Sequence, residues 1–205
     1  MRALTALLVG PTVTLAAAIA PRWYPAPEGP WTAGVWRVPA TDDVFFLGEA
    51  INASGGKFYV NKNTSSYCPG NVENLDCSAY PGSRTIFTGG NNTVFLDVGV
   101  PGGQQANAKR IVYIAEDGSL SYTIPHSGAI PDGAVATGFD RVISESFGAP
   151  VVLGHSGQFW LMCPVSEGEP RERTYQIYVG KGTENCLNTG VRTYTATGPD
   201  AWEYM

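Results

Sequence analysis

Charged residues are scarce in this 205-residue chain: Asp, Glu, Lys and Arg make up 15% of it, and there are only two histidines. Lys and Arg (13) are outnumbered by Asp and Glu (18), leaving a formal charge of −5. A surface this short of cations does not suit phosphate backbones or anionic membranes, so no nucleic-acid partner is expected. Beyond the first twenty residues no apolar run is long enough to span a bilayer, and no hydrophobic tail signals a lipid anchor. Apolar stripes at helical spacing, phosphate-cradling glycine loops and dinucleotide fingerprints are missing too, and no cofactor is expected. Glycine (25), proline (15) and aromatic residues (10 Tyr, 8 Phe, 5 Trp) are plentiful. This is the composition of a turn-rich β protein.

The first twenty residues stand apart. Arg2 is followed by an apolar, acid-free stretch from Ala3 to Ile19, ending in the small residues Ala16-Ala-Ala-Ile-Ala20 before Pro21. A charged start, an apolar middle and a small-x-small site define a secretory signal peptide over 1–20, and hence an extracellular protein with no stable membrane anchor. Two features agree with export. The cysteines are even in number, Cys68, Cys77, Cys163 and Cys186. Of three possible connectivities the local one, Cys68 with Cys77 and Cys163 with Cys186, is expected. Zinc is a poor alternative, because the C-x₂₋₄-C spacing is missing and the histidines lie far apart in sequence. Three N-x-[ST] sequons, Asn52-Ala-Ser54, Asn63-Thr-Ser65 and Asn91-Asn-Thr93, fall in a Gly/Asn/Ser-rich region suited to exposed loops, which predicts N-glycosylation at Asn52, Asn63 and Asn91.

Residues 21–44 are rich in proline, carry three tryptophans and lack periodicity, which predicts an irregular extended segment ahead of an all-β domain over 45–205. Short strands are expected at Lys57–Val60, Thr93–Val100, Ile111–Ile114, Ser119–Thr123, Val151–Leu153, Gln158–Met162, Thr174–Val179 and Val191–Thr195. Asp117-Gly118 supplies the positive φ of a tight hairpin between the third and fourth of these. Gly55-Gly-Lys-Phe-Tyr-Val60 is echoed at Gly102-Gly-Gln104 with Val112-Tyr-Ile114, and again at Ser156-Gly-Gln-Phe-Trp-Leu161. The spacing becomes nearly even if Ala106–Arg110 is an insertion. The fold is therefore expected to be a single all-β domain, disulfide-stapled, either a sandwich or jelly roll or a three-repeat trefoil-like barrel.

No pattern of catalytic residues stands out, and the chain is not expected to be an enzyme. Gly154-His-Ser-Gly157 lacks the glycine that a nucleophile elbow needs at 158, and strand rather than helix follows. His126 sits in a loop. Glu167, Glu169 and Glu172 interleave with Arg171 and Arg173 as a solvated segment. Tyr59, Tyr67, Tyr113, Tyr122, Trp160, Tyr175 and Tyr178 are the candidate sugar-stacking aromatics.

Several stretches resemble one fungal secreted family: Ile51-Asn-Ala-Ser-Gly-Gly-Lys-Phe-Tyr-Val60, Asn63-Thr-Ser-Ser-Tyr-Cys-Pro69, Phe95-Leu-Asp-Val-Gly-Val-Pro-Gly-Gly-Gln-Gln105, Tyr113-Ile-Ala-Glu-Asp-Gly-Ser-Leu-Ser-Tyr-Thr123, Ala129-Ile-Pro131, Thr137-Gly-Phe139 and Ala201-Trp-Glu-Tyr204. It is the phialide-development cell-wall protein (PhiA) family, some of whose members are labelled IgE-binding or cell-wall allergens. The resemblance covers roughly residues 50–205. It implies a non-catalytic, wall-associated protein linked to conidiophore development, with cell-wall polysaccharide or glycoprotein as partner, and it supports local disulfides. The chain departs from the family at Ala106–Arg110 and over Pro21–Phe46. A carbohydrate-binding module or an effector engaging host proteins is the alternative reading, and a small secreted hydrolase a distant third.

Overall fold

Lys57–Val60 and Arg110–Ile114 alternate between buried and half-buried positions, and Asn61, at φ 58°, ends the first of them. The computed structural model describes residues 23–39, 44–100, 110–125, 127–145 and 148–205. The leader 1–20, the stretch 101–109 with most of the suspected insertion, and His126 lie outside the described residues. The strands are β1 Trp23–Pro25, β2 Trp31–Arg37, β3 Phe46–Ala50, β4 Asn52–Ser54, β5 Lys57–Val60, β6 Ser66–Tyr67, β7 Phe87–Leu96, β8 Arg110–Ile114, β9 Leu120–Tyr122, β10 Phe139–Ser144, β11 Val151–His155, β12 Trp160–Pro164, β13 Tyr175–Val179, β14 Leu187–Thr195 and β15 Glu203–Tyr204. The helical content among the described residues is one 3-10 turn, Cys77–Ala79.

The domain is all-β, and every pairing is antiparallel. The path is more specific than the sandwich or trefoil expected from the sequence. Hydrogen bonding runs β14–β12–β13–β5–β9–β8–β7–β2 and returns to β14, closing a ring. A second loop, β14–β11–β10–β7–β2, shares one side of that ring. Two long strands make the junctions. In β14, Leu187–Thr189 face β12 while Gly190–Thr195 face β2, and Arg192 also pairs with Val152 of β11. In β7, Phe87 pairs with β2, Asn91 and Asn92 with β10, and Phe95 and Leu96 with β8.

The shared core contains Trp31, Val35, Phe46, Phe58, Val60, Phe139, Met162 and Ile177, each 0% exposed. Period-2 alternation places them there: Phe58 and Val60 point inward and Tyr59 does not. Burying each such side chain contributes about 1.5–3 kcal/mol. β13 is buried at all five positions, because β5 and β12 flank it.

The N-terminal expectation is corrected. Residues 21–44 are not wholly irregular, since Trp31–Arg37 is a seven-residue strand beside β14, β3 and β7. The folded body therefore begins well before residue 45. Trp31 stacks on Phe87 with centroids 4.7 Å apart. Proline density masked the strand, yet the run Trp31-Thr-Ala-Gly-Val-Trp-Arg37 contains no proline.

The tail seals one end. β15 pairs with β6, Tyr204 is fully buried, and its hydroxyl accepts from Ile86 N (2.9 Å) while donating to Arg84 O (3.0 Å). Glu203 forms a buried ion pair with Arg110. Asp200 accepts from the Arg84 guanidinium and backbone N–H and from the Ser83 hydroxyl. Cys68 is joined to Cys77 and Cys163 to Cys186, with Cα separations of 5.9 and 4.1 Å. The second bond ties β12 to the residue preceding β14.

Candidate functional site

The Asp117-Gly118 turn behaves as the sequence predicts and builds one wall of a cleft. β8 and β9 are joined through Ala115 N–H to Ser119 O (2.9 Å), with Gly118 at φ 87°. Asp117 Oδ1 accepts from Ser119 N (2.9 Å) and Oγ (2.7 Å), locking the turn. Gly118 O accepts from Val179 N (2.9 Å), which docks the turn onto the end of β13. Burial raises the Asp117 carboxyl, but the Ser119 hydrogen bonds and the nearby Lys57 and Lys181 outweigh it, so Asp117 sits below the usual carboxylate range. Burial and the Asp117 charge together push the Tyr113 and Tyr178 phenols up.

Between this turn and the β11–β12 turn lies a cleft of about 630 Å³, lined among others by Glu116, Val135, Gln158, Phe159 and Lys181. Phe159 is 74% exposed, while its carbonyl accepts from Gly180 N (2.9 Å). Its backbone is thus pinned and its ring free. His155, at the cleft floor, is 5% exposed. Its Nε2 faces Thr137 O at 2.9 Å, its Nδ1 faces Gln158 Oε1 at 3.3 Å, and its ring meets the Phe139 ring edge-on. Ser156 Oγ donates to Gly138 O at 3.4 Å. Adjacent in sequence, His155 and Ser156 are thus committed to different carbonyls and form no nucleophile–base pair.

A second groove, about 680 Å³, lies between the Pro25–Gly29 turn, β7 and β10. Its floor is Arg141, 7% exposed. Arg141 Nε donates to Thr193 Oγ1 (2.9 Å), Nη1 donates to Pro27 O (2.6 Å), and the guanidinium lies 5.2 Å from the Trp31 ring centroid. Asn91 lines the same groove.

The structure separates the residues that the sequence grouped. Among the candidate aromatics, Tyr122, Trp160, Tyr175 and Tyr178 are buried, Tyr59 and Tyr113 half-buried, and Tyr67 exposed. None of the seven lines the cleft. Phe159 was missed because it was read as a strand residue, whereas β12 begins one position later. The alternation of buried Trp160 and Met162 was the available signal, since it sends 159 outward. Nothing in the sequence marked Arg141. Of the sequon asparagines, Asn63 and Asn91 are exposed, and half-buried Asn52 donates its amide N–H to Lys62 O (2.8 Å). Among the described residues no cluster of three His, Cys, Asp or Glu side chains could hold a metal, and no helix is long and apolar enough to cross a membrane.

A disulfide-stapled, all-β domain with open surface clefts is the class of molecule this geometry defines. No protein-family model matches the chain, and no solved structure does. It is 30% identical over 165 residues to a protein of Arthroderma benhamiae described as an "uncharacterized secreted protein", the match spanning 75% of this chain and 76% of that one. The chain belongs to the family of that secreted fungal protein.

Proposed function

We propose that this chain is a secreted, non-catalytic protein of the fungal cell exterior that associates with wall polysaccharide through the Phe159 cleft. One observation carries the reading: a large, solvent-exposed aromatic ring beside a cleft that also presents Glu116, Gln158 and Lys181. A pyranose offers a C–H-rich face to a ring's π-face and hydroxyls to flanking polar groups, and the volume falls within the roughly 300–1,000 Å³ of ligand pockets. The family relationship supports export. The resemblance to the phialide-development cell-wall proteins supports the finer reading, a wall component linked to conidiophore development. The test is retention of the purified secreted protein on insoluble β-glucan and on chitin, alongside Phe159→Ala. Retention of the wild type with at least tenfold weaker retention of the variant is expected. No retention on either polymer, or equal retention of the variant, would refute the cleft as the binding site.

A further inference from the structure

The groove floored by Arg141 holds a guanidinium with no ion-pair partner among the described residues. A guanidinium does not give up its proton in a protein. Burial lowers its tendency to stay charged, so its buried N–H groups call for acceptors, while an N–H that reaches the groove can serve a ligand. Thr193 Oγ1 and Pro27 O satisfy two, both uncharged, and Trp31 contributes its ring face. Among the described residues, Nη2 donates to nothing and no carboxylate is ion-paired to this arginine. The groove it faces carries Glu28 and Asp140, both exposed, and the ring faces of Pro25 and Pro27. Donor, acceptors and small apolar faces in one polar groove suit a neutral polyhydroxyl chain. A free anion would meet the two carboxylates as well as the arginine.

Such a chain has an attachment point at the same place. Asn91, first residue of the sequon Asn91-Asn-Thr93, is exposed and lines this groove. Its backbone pairs with Asp140, next to Arg141. Asn92 takes a left-handed φ of 70° and its Oδ1 accepts from Gly138 N (2.9 Å), which pins the bend in β7 that presents Asn91.

We propose that Asn91 carries an N-linked glycan whose first sugars fold back into this groove. They accept hydrogen bonds from Arg141 Nη2, donate hydroxyl protons to Glu28 and Asp140, and pack on Pro25 and Pro27. The attachment forms a bond from Asn91 Nδ2 to the anomeric carbon of a lipid-linked oligosaccharide; the carbon–oxygen bond to the lipid diphosphate breaks, the diphosphate departs, and Nδ2 loses one proton. The groove volume of about 680 Å³ is that of a pocket for a small ligand and accommodates the start of such a chain. A covalent tether makes docking intramolecular, so weak contacts suffice. Asn63, exposed in the loop after β5 and away from the groove, serves as an internal reference.

The test uses the full chain secreted from a eukaryotic host. Glycopeptide mapping first reads occupancy at Asn63 and Asn91. An endoglycosidase is then applied to native and to denatured protein, and release is followed at each site. Release at Asn91 is expected to be at least tenfold slower than at Asn63 in the native protein, with the difference lost on denaturation. After forced removal, amide exchange at Glu28 and Gly29 should quicken several-fold. In Arg141→Lys, which keeps the charge and loses the planar fork, native release at Asn91 should rise towards that at Asn63. An unmodified Asn91, or equal native release rates at the two sites, would overturn the proposal whether or not the lysine variant folds.

Discussion

Removing a single oxygen at the sealed end of the ring should cost much of the margin that keeps this domain folded. Tyr204→Phe keeps the buried ring and deletes a hydroxyl that bridges Ile86 N and Arg84 O. Ile86 is 0% exposed and its N–H has no other partner among the described residues, so the variant strands a buried donor. That costs about 1–3 kcal/mol, and the lost bond to the partly buried Arg84 carbonyl adds about 0.5–1.5. The sum is about 1.5–4.5 kcal/mol, a large share of the ~5–15 kcal/mol of a typical domain. For a chain of this size it lowers Tm by about 3–18 °C. Urea unfolding followed by tryptophan fluorescence, with thermal melts beside it, reads both quantities, and the slope should stay unchanged because the surface exposed on unfolding is the same. Tyr24→Phe, at a position 47% exposed, is the control and should stay within about 0.5 kcal/mol of wild type. If Tyr204→Phe also stays within about 0.5 kcal/mol, the bridge is not a structural contact and the account of the tail as a seal fails.

Asp200→Asn should destabilise the protein by about 1–3 kcal/mol near neutrality by weakening charge-assisted bonds. Burial raises the Asp200 carboxyl, but the bonds from Arg84 and Ser83 hold it below its ordinary value. Its contribution is therefore complete above the unfolded pKa of about 3.9 and disappears as pH falls through the lower folded value; urea midpoints between roughly pH 6 and pH 2 should fall less steeply in the variant than in wild type. A Cβ at Gly34 would lie 2.7 Å from Gly48 O across the β2–β3 pairing, so Gly34→Ala should cost about 1–3 kcal/mol in a thermal melt, whereas Gly70→Ala, with open space around it, should be silent. Replacing Cys163 and Cys186 together, 23 residues apart, should cost about 3.5 kcal/mol in the chain-entropy treatment. Replacing Cys68 and Cys77, 9 apart, should cost about 2.5, and paired denaturation curves would expose a reversed order.

Strands with internal alternation and flanking glycine were legible in the sequence. Lys57–Val60 forms as expected, and so does the hairpin around Asp117-Gly118, because local φ requirements and a two-residue period decide both. The ladders that close the ring were not legible. β2 and β10 have little alternation of their own and are set by partners far away in sequence, Tyr194 for Thr32 and Tyr24 for Ile143. The same limit applied to the two grooves. Arg141 sits on a strand like any surface arginine, and only the fold lays it over Trp31. Phe159 stands beside the buried Trp160, and a one-residue difference in where the strand begins decides which ring meets solvent. The closing Ala201-Trp-Glu-Tyr204, quoted as a family resemblance, is explained by packing, since three of its four residues are buried.

The ladder between β2 and β14 has a consequence for biogenesis. It joins Trp31 to Thr195, so the longest strand-to-strand register in the molecule spans most of the polypeptide. Contacts this remote fold slowly, since the intervening chain must be gathered before they form. In a chain exported as it is made, β2 could pair with β3 early, but its β14 edge would stay open until the last strands emerged. Such a chain would close its ring only when synthesis is nearly done.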